Sequence, residues 1–177
     1  FNENWATDPT VFANYAKHWQ TGEAMPKALV DKLKATSKFN QGFMTTEYLA
    51  AALLDLQWHM LPAEAPVQEP EKFEQAALAN YGLSLSMVYP RYRTCYFSHI
   101  WGGGYGAGYY AYMWSEVLEA DAFQWFKEHG GMTRANGMHF RETILSKGGS
   151  KDADQLYRDF RGRDAEVGPL LEKRGLK

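Results

Sequence analysis

The sequence predicts an all-α fold on three observations: apolar residues recur at helical spacing, caps and glycine or proline stops bound those runs, and no alternating series reads as strands. Asp8 before Pro9 reads as a cap followed by a first-turn proline, and Phe12, Tyr15, Ala16 and Trp19 continue at helical spacing to Gly22. A second helix starts near Pro26, carries Leu29, Val30 and Leu33 on one face, and stops before the loop around Gly42. Thr45 or Thr46 can cap a third, whose wide stripe of Leu49, Ala52, Leu53, Leu56 and Met60 predicts burial up to a stop before Pro62. Residues 62–70 hold three prolines and read as a solvated connection. Pro70 opens a short helix with Phe73, Ala76, Ala77 and Tyr81, closed by Gly82, and residues 83–98 read as irregular or extended. After the glycine-rich stretch 102–108 a long helix is expected from about Tyr105 to Glu128, ending at Gly130 and Gly131. Thr133 caps the next, with Met138, Ile144 and Leu145 inward and a stop at Gly148 and Gly149. Ser150 caps another, carrying Leu156, Tyr157 and Phe160, and a last short helix runs from about Val167 to Lys173 before Gly175.

At 177 residues the chain amounts to about one domain. Charged residues at 23%, aromatic residues at 15% and a mean hydropathy of -0.49 exclude both a disordered chain and a membrane bundle. A net charge of -2 provides no field to draw in a polyanion, so nucleic acid is not an expected partner. Cys95 is the single cysteine; it cannot form an internal disulfide or a zinc knuckle, and it reads as a buried structural thiol. No repeat or long linker divides residues 1–177, so one domain or one piece of a domain is the economical view. No export signal precedes the first helix, and the abrupt FNENWATDP start suggests a piece cut from something longer.

From Thr94 to Ser115 run 22 residues without Asp, Glu, Lys or Arg, TCYFSHIWGGGYGAGYYAYMWS. The length and the Gly104-to-Gly108 GxxxG match fit a membrane span, but the interspersed glycines and tyrosines lower its hydrophobicity and no partner segment exists. GGGYGA also matches a dinucleotide fingerprint, which needs a strand before it and a βαβ unit around it; only helices are predicted downstream. A third reading starts from geometry. A helix beginning near Tyr105 would set Tyr105, Tyr109 and Tyr112 on one face, three phenols beside a flexible loop and His99, suited to peptide carbonyls or a developing oxyanion. Tyr110, Met113, Val117 and Phe123 would then pack inward; an aromatic core helix is the alternative.

These residues resemble a known family. FSHIWGGGYGAGYYAYMWSEVLEADAF with YPRYRTCYF before it is similar to the C-terminal part of the thimet oligopeptidase and neurolysin zinc peptidases, and within them to the bacterial peptidyl-dipeptidases. FNENWATDP, SKFNQGF with its LLD helix, GGMTRANGMHFRETILSKGGS and LLEKRGLK extend the resemblance over the whole chain.

The resemblance implies the C-terminal helical segment of a zincin-like oligopeptidase catalytic domain, one wall of a deep peptide channel. In that family an HExxH helix supplies two zinc ligands and the general base, because histidines four apart share one helix face. His18, His59, His99, His129 and His139 include no such pair, so the chain is expected to hold no metal ligand and to be inactive alone. Zn2+ would be bound in the intact parent by the upstream remainder, where the family's third ligand, a glutamate, also falls; Glu3 is not that residue and is given a supporting or surface role. The resemblance assigns Tyr112 to stabilising the tetrahedral intermediate, with His99 and Tyr105 holding the substrate backbone. Gly102, Gly103 and Gly104, with the glycines up to Gly108, would form a mobile loop that lets Tyr105 close on an oligopeptide; Tyr109 is their neighbour. Removing dipeptides from a C-terminus requires a partner for the free carboxylate, for which Arg91 and Arg93 are candidates and a surface salt bridge is the other reading. Trp58 and His59 read as core and boundary residues, and RDFRGRDAE as a solvated charge run. A cytoplasmic setting fits the single thiol, with a periplasmic one as the alternative. The competing class is a non-catalytic all-α module that binds peptides or partner helices; either way the isolated piece would tend to self-associate.

Overall fold

The computed structural model describes residues 1–177. Ten α-helices occur: α1 Glu3–Thr7, α2 Pro9–Tyr15, α3 Lys27–Thr36, α4 Gln41–His59, α5 Pro70–Ala79, α6 Ser98–Trp101, α7 Ala111–Glu128, α8 Arg134–Phe140, α9 Ala153–Arg161 and α10 Gly168–Arg174. There are no strands, only isolated bridges between Lys17 and Ala24 and between Leu85 and Val88, so the expected all-α class is correct. No helix is long and apolar enough to cross a membrane. The chain folds as two compact units, residues 40–114 and residues 1–39 with 115–177.

In the unit of residues 40–114, α4 is central because its alanines let neighbours approach on two sides. Ala50 and Leu54 pack with Ala77 and Leu78 of α5, while Ala51 and Ala52 pack with Phe97, Ile100 and Tyr109. The N-terminus of α4 lies earlier than Thr45 or Thr46: Asn40 in a left-handed conformation, φ 60°, starts it, and the Thr46 hydroxyl donates back to Gly42 O. Glu69 caps α5 by accepting from the amides of Glu71 and Lys72. Buried Glu74 takes the Nε of Arg93 at 2.7 Å and the amide of Thr94 at 3.1 Å, which ties down the approach to α6.

In the other unit the core is aromatic. Ala122, Trp125 and Phe126 of α7 meet Tyr157 and Phe160 of α9, with Phe1, Trp5 and Phe140 packed around them. Asp8 caps α2 as expected, but α2 ends at Tyr15 rather than near Gly22. Residues 16–25 close instead into a turn in which Met25 N donates to Ala16 O and His18 N to Glu23 O, leaving Trp19 exposed. Asp152, not Ser150, precedes α9, and Leu145 is exposed because Arg141–Leu145 widens into a π-turn. The RDFRGRDAE run is a correction too: Arg161 and Arg163 fold inward onto Asp121, which is fully buried.

Candidate functional site

The expected long helix from Tyr105 does not form; α7 begins only at Ala111. Gly104 and Ala107 take left-handed conformations, φ 82° and 54°, which no helix accommodates. The amides a helix would have used are taken elsewhere, since Asp55 of α4 accepts Ala107 N at Oδ1 and Tyr109 N at Oδ2, both at 2.9 Å. Tyr105, Tyr109 and Tyr112 nevertheless converge, brought together by a loop and the first turn of α7 rather than by one helix face. The rings of Tyr105 and Tyr112 stack at 5.2 Å and 18°, and Tyr109 lies edge-on to Tyr112 at 5.1 Å.

Both stacked phenols reach solvent, Tyr105 38% and Tyr112 41% exposed. The Tyr105 hydroxyl beside it, and then partial desolvation, raise the Tyr112 phenol above its ordinary value, so Tyr112 remains a hydrogen-bond donor well into the alkaline range. His99 sits within 6.2 Å of Tyr105 and 6.3 Å of Tyr112, with Tyr92 4.6 Å from its other side. Its Nδ1 is buried without a hydrogen-bond partner. Tyr109 is different. Its ring is 3% exposed within the core cluster, and burial pushes its phenol up to about 12, so it braces the other two from behind. Tyr110, expected inward, is exposed instead.

The glycines divide into two groups. A Cβ on Gly102 or Gly104 would meet nothing within 4 Å, but one on Gly103 would lie 2.9 Å from the His99 backbone, and one on Gly106 would lie 2.9 Å from His59 Nε2. Gly102 N and Gly103 N both donate to Ser98 O and Tyr105 N donates to His99 O, while Ala107 N and Tyr109 N are held by Asp55. Arg93 is committed to Glu74, whose hydrogen bond and charge raise its guanidinium further, whereas Arg91 is exposed and makes no ion pair. Cys95, expected to be buried, is exposed. No group of three or more His, Cys, Asp or Glu side chains converges on a point that could hold a metal ion, so the residues of this chain do not fit a zinc centre. Sequence reasoning missed Asp55 and Tyr48. The available signal was an aspartate within the apolar stripe of α4, since a charged residue at a core position is informative.

The model for peptidase family M3 matches residues 1–176. The chain belongs to that family. Its M3 relatives include the dipeptidyl carboxypeptidase of Escherichia coli, 51% identical over 99% of this chain, and that of Salmonella typhimurium, 50% identical over 99%. The oligopeptidase A of Escherichia coli is 37% identical over the full chain. In each case the chain spans only about a quarter of the relative, 26% of its length.

Proposed function

We propose that these 177 residues form one wall of the substrate channel in a zinc-dependent peptidyl-dipeptidase that releases dipeptides from the C-terminus of oligopeptides. The single observation that carries this reading is the stacked, solvent-reaching pair of Tyr105 and Tyr112 beside His99 on a glycine loop. The similarity to dipeptidyl carboxypeptidases supports the reaction class. Zinc, when bound, supplies Lewis-acid polarisation and an activated water; its ligands and the general base belong to polypeptide outside residues 1–177. Within this chain, the Tyr112 hydroxyl donates to the oxygen that gains charge as the peptide carbonyl becomes tetrahedral, and Tyr105 and His99 hold the backbone of the oligopeptide. Arg91, exposed and without an ion pair, receives the free carboxylate as a bidentate partner. A cytoplasmic setting is supported by the exposed Cys95 thiol, which a reducing compartment keeps free.

The deciding experiment is Tyr112→Phe in the full-length parent. Turnover is expected to fall about 10²- to 10³-fold, the usual loss for one oxyanion donor, with zinc content unchanged. Turnover near that of the wild type rejects the assigned role.

A further inference from the structure

Three side chains on one face of α4 grip the loop that carries the phenols. Tyr48, Asp55 and His59 stand at i, i+7 and i+11, positions that share a helix face. Asp55 is fully buried and accepts two backbone amides, as described above, and His59 Nδ1 lies 2.9 Å from its Oδ1. The His59 ring also fills the space a side chain on Gly106 would need. One turn further along the loop, the Tyr48 hydroxyl donates to Tyr109 O at 2.7 Å and accepts from Met113 N at 3.0 Å. The amides of Ala107, Tyr109 and Met113 and the carbonyl of Tyr109 are thus tied to α4, and Tyr112 lies between two of these anchors.

The strain at Ala107 points the same way. A non-glycine residue at φ 54° is disfavoured and persists where the surroundings over-determine it. Here the over-determining group is the carboxylate: charge-assisted hydrogen bonds from Ala107 N and Tyr109 N hold the backbone in a turn it would otherwise leave.

We propose that Asp55 is a positioning residue, which with Tyr48 sets the Tyr112 hydroxyl in place. This rests on the reading of Tyr112 as an oxyanion donor. The aspartate touches no substrate and acts through the backbone of Ala107 and Tyr109, so its loss is felt in catalysis only through the phenols.

The test uses Asp55→Asn in the full-length peptidase, alone and combined with Tyr112→Phe. Alone, kcat is expected to fall about 10- to 100-fold, the cost of an ångström-scale misplacement, and amide hydrogen exchange over residues 106–109 to accelerate. Combined with Tyr112→Phe, the same change is expected to add little, because two groups acting as one unit are not additive. An equal loss in both backgrounds shows a merely structural role and overturns the proposal, as does an unchanged exchange rate at 106–109. If Tyr112→Phe alone keeps its turnover while Asp55→Asn still accelerates exchange, the oxyanion reading has failed and the anchoring has not. Should Asp55→Asn fail to fold, Tyr48→Phe decides. It removes the hydroxyl but keeps the ring stacked on Tyr109 at 5.4 Å, and wild-type kcat in that variant overturns the proposal.

Discussion

Two buried aspartates illustrate how a single carboxylate can be kept in a protein interior. The Asp55 carboxylate is satisfied by the backbone amides of Ala107 and Tyr109, whereas Asp121 is satisfied by side chains: Tyr157 at 2.7 Å, Arg163 at 2.8 Å and Arg161 at 3.3 Å. Burial alone would raise the Asp121 carboxyl, but the hydrogen bonds from Arg163, Tyr157 and Arg161 outweigh it and hold the carboxyl below its ordinary value. Its partner responds in the opposite sense, since burial and then the Asp121 carboxylate push the Tyr157 phenol up. Removing one member of such a buried group leaves charges uncompensated, so Asp121→Ala is expected to lose about 3–5 kcal/mol of stability in urea unfolding. The sign of the pH dependence follows from the depressed folded-state value. The contribution of Asp121 is complete above the unfolded carboxylate value, near 3.8, and is lost as the pH falls through the lower folded value. The gap in stability between wild type and Asp121→Ala should therefore be constant from neutral pH down to about 5 and narrow below about 4. A gap that stays unchanged at pH 3 would contradict this assignment.

At the scale of elements, α6 and the glycine loop are joined at Gly103, whose added Cβ would press on His99 Cα and O at 2.9 Å. Backbone cannot yield as a flexible side chain does, so Gly103→Ala is expected to cost about 1–3 kcal/mol and to displace His99. Gly102→Ala meets open space at an ordinary φ and should stay within about 0.5 kcal/mol of wild type. Thermal unfolding of the two variants side by side checks the contrast, and equal midpoints would refute it. The same elements show what the sequence could reveal. Capping by Asp8 and Thr133, the burial of Leu156, Tyr157 and Phe160, and the glycine stops at Gly130, Gly131 and Gly175 were all legible, because each depends on local chemistry. The start of α7 was not legible. Nothing near Tyr105 announces that its following amides belong to an aspartate 52 and 54 residues earlier in the chain. The inward turn of Arg161 and Arg163 was hidden for the same reason, since their partner Asp121 lies 40 and 42 residues away. Helical spacing suggested three phenols pointing one way, whereas a tertiary anchor stacks Tyr105 on Tyr112 and buries Tyr109 in the core behind them.

At the scale of the whole molecule, large apolar side chains stand exposed, among them Trp19 at 84%, Met87 at 82%, Phe39 at 78% and Trp114 at 65%. Tryptophans so far from burial are costly in water, and a surface of this kind is normally covered by further polypeptide. The chain spans 26% of its dipeptidyl carboxypeptidase relatives, so further polypeptide is available in proteins of that length to cover it. The purified 177-residue chain is accordingly expected to self-associate at micromolar concentration, and to do so less as urea is added below the unfolding transition, because urea weakens apolar contacts. Sedimentation velocity across a dilution series reads this directly: a sedimentation coefficient that rises with concentration is the expected outcome. A single monomeric species at every concentration would mean that the exposed apolar side chains are tolerated by water and need no covering partner.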